Sequence, residues 1–129
     1  MSINSALRSS SSGLYAERMR LDVISANIAN ANSVTTPDKP AYSRKVVVLQ
    51  SDDNGVTVER IIDENVPLRV SNEPDHPMAD SDGNVEYSNV NPVIEMVNMM
   101  SATRAYEANV AAFNSAKGMI QSALSIGRI

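Results

Sequence analysis

The side chains most able to do chemistry lie between residues 76 and 86. His76 is the only histidine, and four oxygen-bearing side chains alternate around Gly83 between Asp80 and Glu86. An EF-hand calcium loop needs its glycine at the sixth position and a glutamate at the twelfth. Here the glycine comes fourth and the glutamate too early, and no second histidine or cysteine completes a metal site. We therefore predict an exposed loop histidine and no metal site.

Nucleophilic and cofactor chemistry have no better support. The serine run Ser9–Ser12 has no general base or oxyanion donor in view, so we interpret it as a plain linker. The five glycines are scattered singly, so no phosphate-binding loop can be written, and the lack of cysteine excludes thiolate sites. We predict that the protein is not an enzyme and binds no cofactor.

The C-terminal segment, residues 91–129, predicts one long helix. Asn91 can cap its start, Pro92 suits the first turn, and Gly127 is placed as a stop signal. At 1.5 Å per residue, Pro92 to Ile126 would extend roughly 50 Å. Apolar residues follow a three-four spacing typical of a helix that packs along another helix. Small and soft residues also cover its other faces, so several sides of this helix need partners.

The N-terminal segment, residues 3–31, predicts a second long helix. Leu7, Leu14, Leu21 and Ile28 recur every seven residues, with Ile24 between them. Serine competes for backbone hydrogen bonds and Gly13 costs about 1 kcal/mol relative to alanine, so the run up to Gly13 weakens the helix. We expect the first dozen residues to order only when another element packs on them.

Residues 33–90 contain five of the six prolines, which exclude long helices. The stretches 42–50 and 56–62, separated by Asp53-Asn54-Gly55, predict a β-hairpin. Residues 66–70 and 85–87 predict two further short strands. This middle part holds 5 basic and 11 acidic side chains, a net charge of −6, while residues 1–32 and 91–129 are nearly neutral. An acidic middle argues against a nucleic-acid surface.

The predicted fold is therefore mainly α with a small β insertion. Two long terminal helices, paired as an antiparallel coiled coil, form one domain from residues 1–32 and 91–129, and residues 33–90 form a small β-rich inserted domain. No apolar run is long enough for a membrane span, and the N-terminus lacks a signal-peptide pattern. A two-helix pair leaves much apolar surface uncovered, which predicts protein partners, and a repeated head-to-tail contact would give a filament.

The two ends of the chain also carry a family resemblance. Ser12–Ala16 and Leu21–Asn30 resemble the N-terminal signature of bacterial flagellar rod and hook proteins. Glu95–Met100, Arg104–Asn109 and Ile126–Arg128 resemble their C-terminal signature. Parts of the middle resemble a rod protein of the proximal segment: Asn32–Thr35, Tyr42–Gln50, Pro77–Asp80 with Gly83, and Asn89–Asn91.

This resemblance implies a structural subunit of the proximal rod of the flagellar basal body. Such proteins assemble with other rod proteins and copies of themselves into a hollow helical drive shaft that transmits torque across the periplasm. The resemblance also implies contact with the membrane-ring and export-gate base, and export through the flagellum's own type III apparatus without a cleaved signal. Their terminal segments fold into paired helices on assembly.

We predict that the assembly interface uses the apolar positions of both helices together with selected asparagines. These residues are Leu7, Leu14, Leu21, Ile24, Asn27, Ile28, Asn30, Met96, Met99, Tyr106, Asn109, Val110, Phe113, Ile120 and Leu124. Asn27, Asn30, Asn98 and Asn109 are predicted to fix the helix register by hydrogen bonding.

Two other classes of function stay open from the sequence. A secreted or cytoplasmic helical module could hold a single protein partner, and it would form a one-to-one complex instead of a filament. A small enzyme with its site in the middle domain would need a convergent set of polar groups there.

Overall fold

The computed structural model of the chain describes residues 2–128. Two long helices pack together and make up about half of the chain, α1 at Ile3–Ala29 and α2 at Pro92–Ile126. Between them lie four strands in two small antiparallel sheets: β1 at Lys45–Asp52, β2 at Gly55–Asp63, β3 at Arg69–Asn72 and β4 at Asn84–Tyr87. Each sheet has only two strands, so the helices provide the scaffold.

Helix α1 begins with a capping box and continues without a break through the serine run. The Ser2 hydroxyl accepts a hydrogen bond from Ser5 N at 3.1 Å, and Ser5 Oγ accepts one from Ser2 N. The interpretation of Ser9–Ser12 as a linker is wrong, because these residues lie within the N-terminal half of the helix. Asn30 ends the helix, with its N–H donating to Ala26 O.

Helix α2 has the predicted bounds. The Asn91 side chain accepts hydrogen bonds from Val93 N and Ile94 N, and Pro92 occupies the first turn. No proline follows, and its 35 residues extend over roughly 52 Å, about 12 Å more than the 27 residues of α1.

Two contacts show that the helices run antiparallel. The Asn27 side chain donates a hydrogen bond to Glu95, and a Cβ added at Gly13 would lie 2.7 Å from Asn109 Oδ1. The two contacts are 14 residues apart along each helix and occur in opposite order along the two sequences. The helices are therefore antiparallel, and their register is the same at both contacts. Extending that register places Ile3 level with Met119, and residues 120–126 of α2 project beyond the start of α1.

The β1–β2 hairpin packs along α1. Its two-residue turn leads into Gly55, whose φ of +138° favours glycine. Beside this turn, the Ser12 hydroxyl accepts a hydrogen bond from Val56 N at 3.1 Å, and any side chain at Gly55 would collide with Ser12 Oγ. Small serine side chains therefore let the turn approach the helix closely. The hairpin turn therefore packs on the segment that we expected to need another element against it.

Strands β3 and β4 form the second sheet, which Val34 joins through an isolated bridge to Tyr87. The predicted strand at residues 66–70 begins later, at Arg69.

Two residues that were weighed as metal ligands instead accept hydrogen bonds from nearby backbone N–H groups in their own turns. Asp80 Oδ1 accepts from Asp82 N and Asn84 N, and His76 Nδ1 accepts from Met78 N. Among residues 2–128, no group of three or more potential ligands could hold a metal ion.

The buried apolar residues are small. Most are alanine or valine, including Ala16, Ala102 and Ala116 in the helices and Val85 in β4. Such side chains allow close approach but each removes little apolar area from water. No described helix combines the length and apolar character that a membrane crossing requires.

Candidate functional site: a buried polar cluster and the outer face of α2

A buried polar cluster joins α1, the start of β1 and the first turn of α2. It consists of Asn27, Tyr42, Arg44, Lys45 and Glu95. Glu95 is fully buried, and its two carboxylate oxygens divide the partners. Oε1 accepts from Arg44 Nε at 2.6 Å and from Asn98 Nδ2 at 3.3 Å, and Oε2 accepts from Asn27 Nδ2 at 2.9 Å. The cluster therefore ties three elements that are distant in sequence.

Asn27 uses its whole hydrogen-bonding capacity in this cluster. Its amide group donates to Glu95 Oε2 and to Lys45 O, and its carbonyl oxygen accepts from Lys45 N and from the Tyr42 hydroxyl. The side chain bonds both the N–H and the C=O of Lys45. It therefore pairs with the edge of β1 in the way that the backbone of a neighbouring strand would. A two-donor, two-acceptor amide is the side chain that can do this.

Arg44 lies between two carboxylates. Its Nε bonds Glu95, and its NH1 group is 3.2 Å from Glu64 Oε2. Burial alone would lower the pKa of Arg44, but the hydrogen bonds and negative charges of Glu95 and Glu64 together raise it. Burial also raises the pKa of the Tyr42 hydroxyl. Arg44 thus stays a cation and Tyr42 a neutral donor, and the buried carboxylate has a stable counter-charge.

The backbone around Arg44 extends the same network. Arg44 N donates to Asn89 Oδ1 at 2.7 Å, and Asn89 Nδ2 donates to Val66 O at 2.9 Å. No buried side-chain nitrogen or oxygen lacks a partner within the described part of the chain. A fully satisfied network of this kind fixes a single arrangement of its elements, so it sets how the helix pair is joined to the segment between the helices.

The predicted interface residues of α1 fall into three groups by exposure. Ile24 and Asn27 are buried, while Leu7, Leu14, Leu21 and Ile28 are half-buried and Asn30 is exposed. On α2, Met96 and Leu124 are exposed. The half-buried positions of α2 are Met99, Tyr106, Asn109, Val110, Phe113 and Ile120. Which of these residues meet a neighbouring subunit stays a prediction.

The four asparagines predicted to fix register differ in their partners. Asn27 bonds across to α2, and Asn98 bonds the same Glu95 carboxylate from within α2. Asn30 and Asn109 donate to their own helices, at Ala26 O and Ala105 O. Asn109 contacts α1 by packing against Gly13.

Sequence reasoning missed Tyr42, Arg44 and Glu95 as a unit. One signal was available: Glu95, Ala102, Asn109 and Ala116 recur every seven residues, and the structure places Asn109 and Glu95 against α1. These small and polar residues lie one helical turn away from the bulky ones. Such a repeat marks the line along which α2 comes closest to α1. The partner, Arg44, lies 51 residues away in a loop, and no local pattern pairs it with Glu95.

The opposite face of α2 has a different composition. On this face Val93, Met96, Val97 and Met100 are all more than half exposed. Near the C-terminal end of α2, Met119, Leu124 and Ile126 are also more than half exposed. Exposed apolar residues in this number on one helix are typical of a surface that is covered by another protein.

Two flagellar families match the two ends of the chain. Residues 7–36 match the family described as flagella basal body rod protein, and residues 81–126 match the C-terminal part of the flagellar basal body rod FlgEFG proteins. The matched regions contain most of both helices and all the exposed apolar residues of α2 named above. The chain is therefore a structural subunit of the rod of the bacterial flagellar basal body.

Curated relatives specify the member of the class. The flagellar basal-body rod protein FlgC of Salmonella typhimurium is 42% identical, with 91% of this chain and 92% of the relative covered. FlgC of Borreliella burgdorferi is 40% identical with 98% of each chain covered, and FlgC of Bacillus subtilis is 37% identical with 95% and 97% covered. The chain belongs to the FlgC family of flagellar basal-body rod proteins, which confirms the family resemblance found in the sequence.

Proposed function

We propose that this chain occupies the proximal segment of the rod, where it assembles with other rod proteins and copies of itself into a hollow helical shaft that transmits torque. The observation that carries this proposal is the outer face of α2, with Val93, Met96, Val97 and Met100 exposed at helical spacing. A torque-bearing shaft needs many lateral contacts, each weak alone and strong in sum.

The helix pair would be the assembly unit, wound as an antiparallel coiled coil, and residues 33–90 would form the domain that faces outward. The constant register over 14 residues between the Gly13 and Asn27 contacts supports the coiled coil. The charge of −6 on residues 33–90 supports an outward, solvated position. The base of this segment would contact the membrane ring and export gate, and export would use the flagellum's own apparatus. The role is mechanical, without catalysis or a cofactor.

The test is electron cryotomography of cell envelopes from a strain that lacks the gene. We expect the membrane ring to be present and the rod and hook to be absent, and the wild-type gene to restore both. A Val97→Asp variant should fail to restore them, whereas Glu107→Gln, at an exposed polar site on the same helix, should succeed. An intact rod and hook in the deletion strain would contradict the proposal and favour a module that holds a single partner.

A further inference from the structure

Helix α2 has two apolar patches that the described chain leaves uncovered. We call the first the N-terminal stripe; it consists of Val93, Met96, Val97 and Met100, with exposed fractions between 54% and 69%. Their spacing of three, four and seven residues puts them on one face of the helix. Glu95 is the only ionisable residue between Val93 and Met100, and it points into the helix pair, where it is fully buried.

We call the second patch the C-terminal overhang, residues 120–126. It projects beyond the start of α1 because α2 is longer and the register is fixed by the Gly13 and Asn27 contacts. Ala123 lies two seven-residue repeats beyond Asn109, so the overhang continues the side of α2 that packs on α1. Leu124 and Ile126 are 66% and 71% exposed, and residues 120–126 contain no ionisable side chain.

The two patches match in length, and neither exposes an ionisable side chain, although the overhang also contains Gln121, Ser122 and Ser125. Each covers about two turns of helix, roughly 10 Å along the axis. Neither would bury an ionised group on contact, so burying them together avoids the cost of desolvating a charge. Methionines in the stripe can adapt their shape to branched side chains such as Leu124.

We propose that the C-terminal overhang of one copy packs on the N-terminal stripe of α2 in a second copy of this chain. The proposal rests on the proposed rod assembly and names one contact within it. The two patches lie at opposite ends of the same helix, so the contact is heterologous, and a bound pair keeps one free patch at each of its ends. A contact of this type propagates into a helical array instead of closing into a dimer.

The size of the contact defines when it forms. Stable protein–protein interfaces bury about 1,200–2,000 Å² in total, and two turns of helix on each side provide only a fraction of that area. The contact therefore cannot hold two free copies together in dilute solution. It forms where other rod contacts already place the copies side by side.

Cysteine cross-linking tests this contact cleanly because the natural chain has no cysteine. The gene carrying Val97→Cys and Ala123→Cys is expressed in the deletion strain, the cells are treated with a mild oxidant, and the chain is detected after non-reducing electrophoresis. The two positions lie roughly 40 Å apart along α2, so they cannot form an intrachain disulfide. We expect a ladder of bands at multiples of the chain mass. Co-expressed single variants should give a dimer, and neither single variant alone should give one.

Matched positions decide between a specific and a random contact. Val97→Cys combined with Ser115→Cys, an exposed position on α2 outside both patches, should give no ladder. A ladder of equal intensity from that control would overturn the proposal, as would a motile double-cysteine strain without a ladder. Bands that contain only a different rod protein would also overturn it. If the strain is motile in either of the last two outcomes, the proposed rod function stands although the contact between copies does not exist. If the first pair prevents rod formation, Val93→Cys with Ile120→Cys provides the same test.

Discussion

The two sides of helix α2 differ in a way that reverses the usual arrangement of a globular protein. The side facing α1 and β1 buries the charge of Glu95 among hydrogen bonds and places small residues at the closest approach. The opposite side exposes valines and methionines to solvent. Interior polar groups specify one geometry, while exterior apolar groups provide the free energy of association. The polar contacts that fix the geometry of this chain therefore lie inside it, while many of its larger apolar side chains on α2 stay exposed.

Among the substitutions considered, removal of the Glu95 carboxylate should cause the largest loss in the free energy of unfolding. Glu95→Ala leaves the Arg44 cation and the Asn27 amide group without their shared partner in a buried site. Breaking a buried ion pair on one side costs about 3–5 kcal/mol, which is a large share of the stability of a small protein. Urea unfolding followed by circular dichroism should show this loss.

The matched control for Glu95 is Glu107→Ala, an exposed glutamate on the same helix. It should change the free energy of unfolding by no more than about 0.5 kcal/mol. Equal effects of the two substitutions would show that the cluster has no special role in fixing the helix pair.

Two glycines, one in each helix, allow the tight contact between the helices to be compared with an open surface position. A Cβ at Gly13 would lie 2.7–2.9 Å from the Asn109 side chain, whereas one at Gly118 would have nothing within 4 Å. Gly118→Ala should stabilise the chain by up to about 1 kcal/mol through helix propensity. Gly13→Ala should gain the same propensity but displace the Asn109 amide group from its hydrogen bond to Ala105 O, so it should be less stable than Gly118→Ala by about 1 kcal/mol. Thermal unfolding of the two variants measures the difference.

Asn109→Ala in the Gly13→Ala background should restore most of the lost stability, because the overpacked amide group is then absent. If both alanine variants stabilise the chain equally, the Gly13–Asn109 contact does not set the distance between the helices.

Most of the helices and strands could be predicted from the sequence, but little of the polar cluster could. Helix bounds follow from local signals such as Asn91-Pro92 at the start of α2, and the hairpin follows from the Asp53-Asn54-Gly55 turn. The heptad of leucines indicated that α1 packs on another helix. It did not indicate that Gly13 contacts α2 directly, because the periodicity reports bulky residues and close approach selects small ones. Asn27 was predicted to hydrogen-bond in the helix interface, but its partners Glu95 and Lys45 were not. The Arg44–Glu95 pair joins residues 51 positions apart, and only the fold brings them together.

The smallest expected effect is in the second sheet, away from both sides of α2. Hydrogen bonds from Ser71 and from the Tyr87 hydroxyl hold the pKa of Glu73 below its ordinary value of 4.5. The folded-state pKa is the lower one, so this stabilisation is complete above pH 4.5 and is lost as the pH falls through the lowered value. Hydrogen exchange at β3 and β4 should therefore accelerate in acid before exchange at α1 and α2 does. Glu73→Gln should remove this acid dependence, whereas Asp75→Asn, an exposed carboxylate in the same loop, should leave it in place. Acid-induced exchange that begins at the helices would instead show that Glu73 is not the first acid-sensitive group, and the second sheet would then not be the region that acid weakens first.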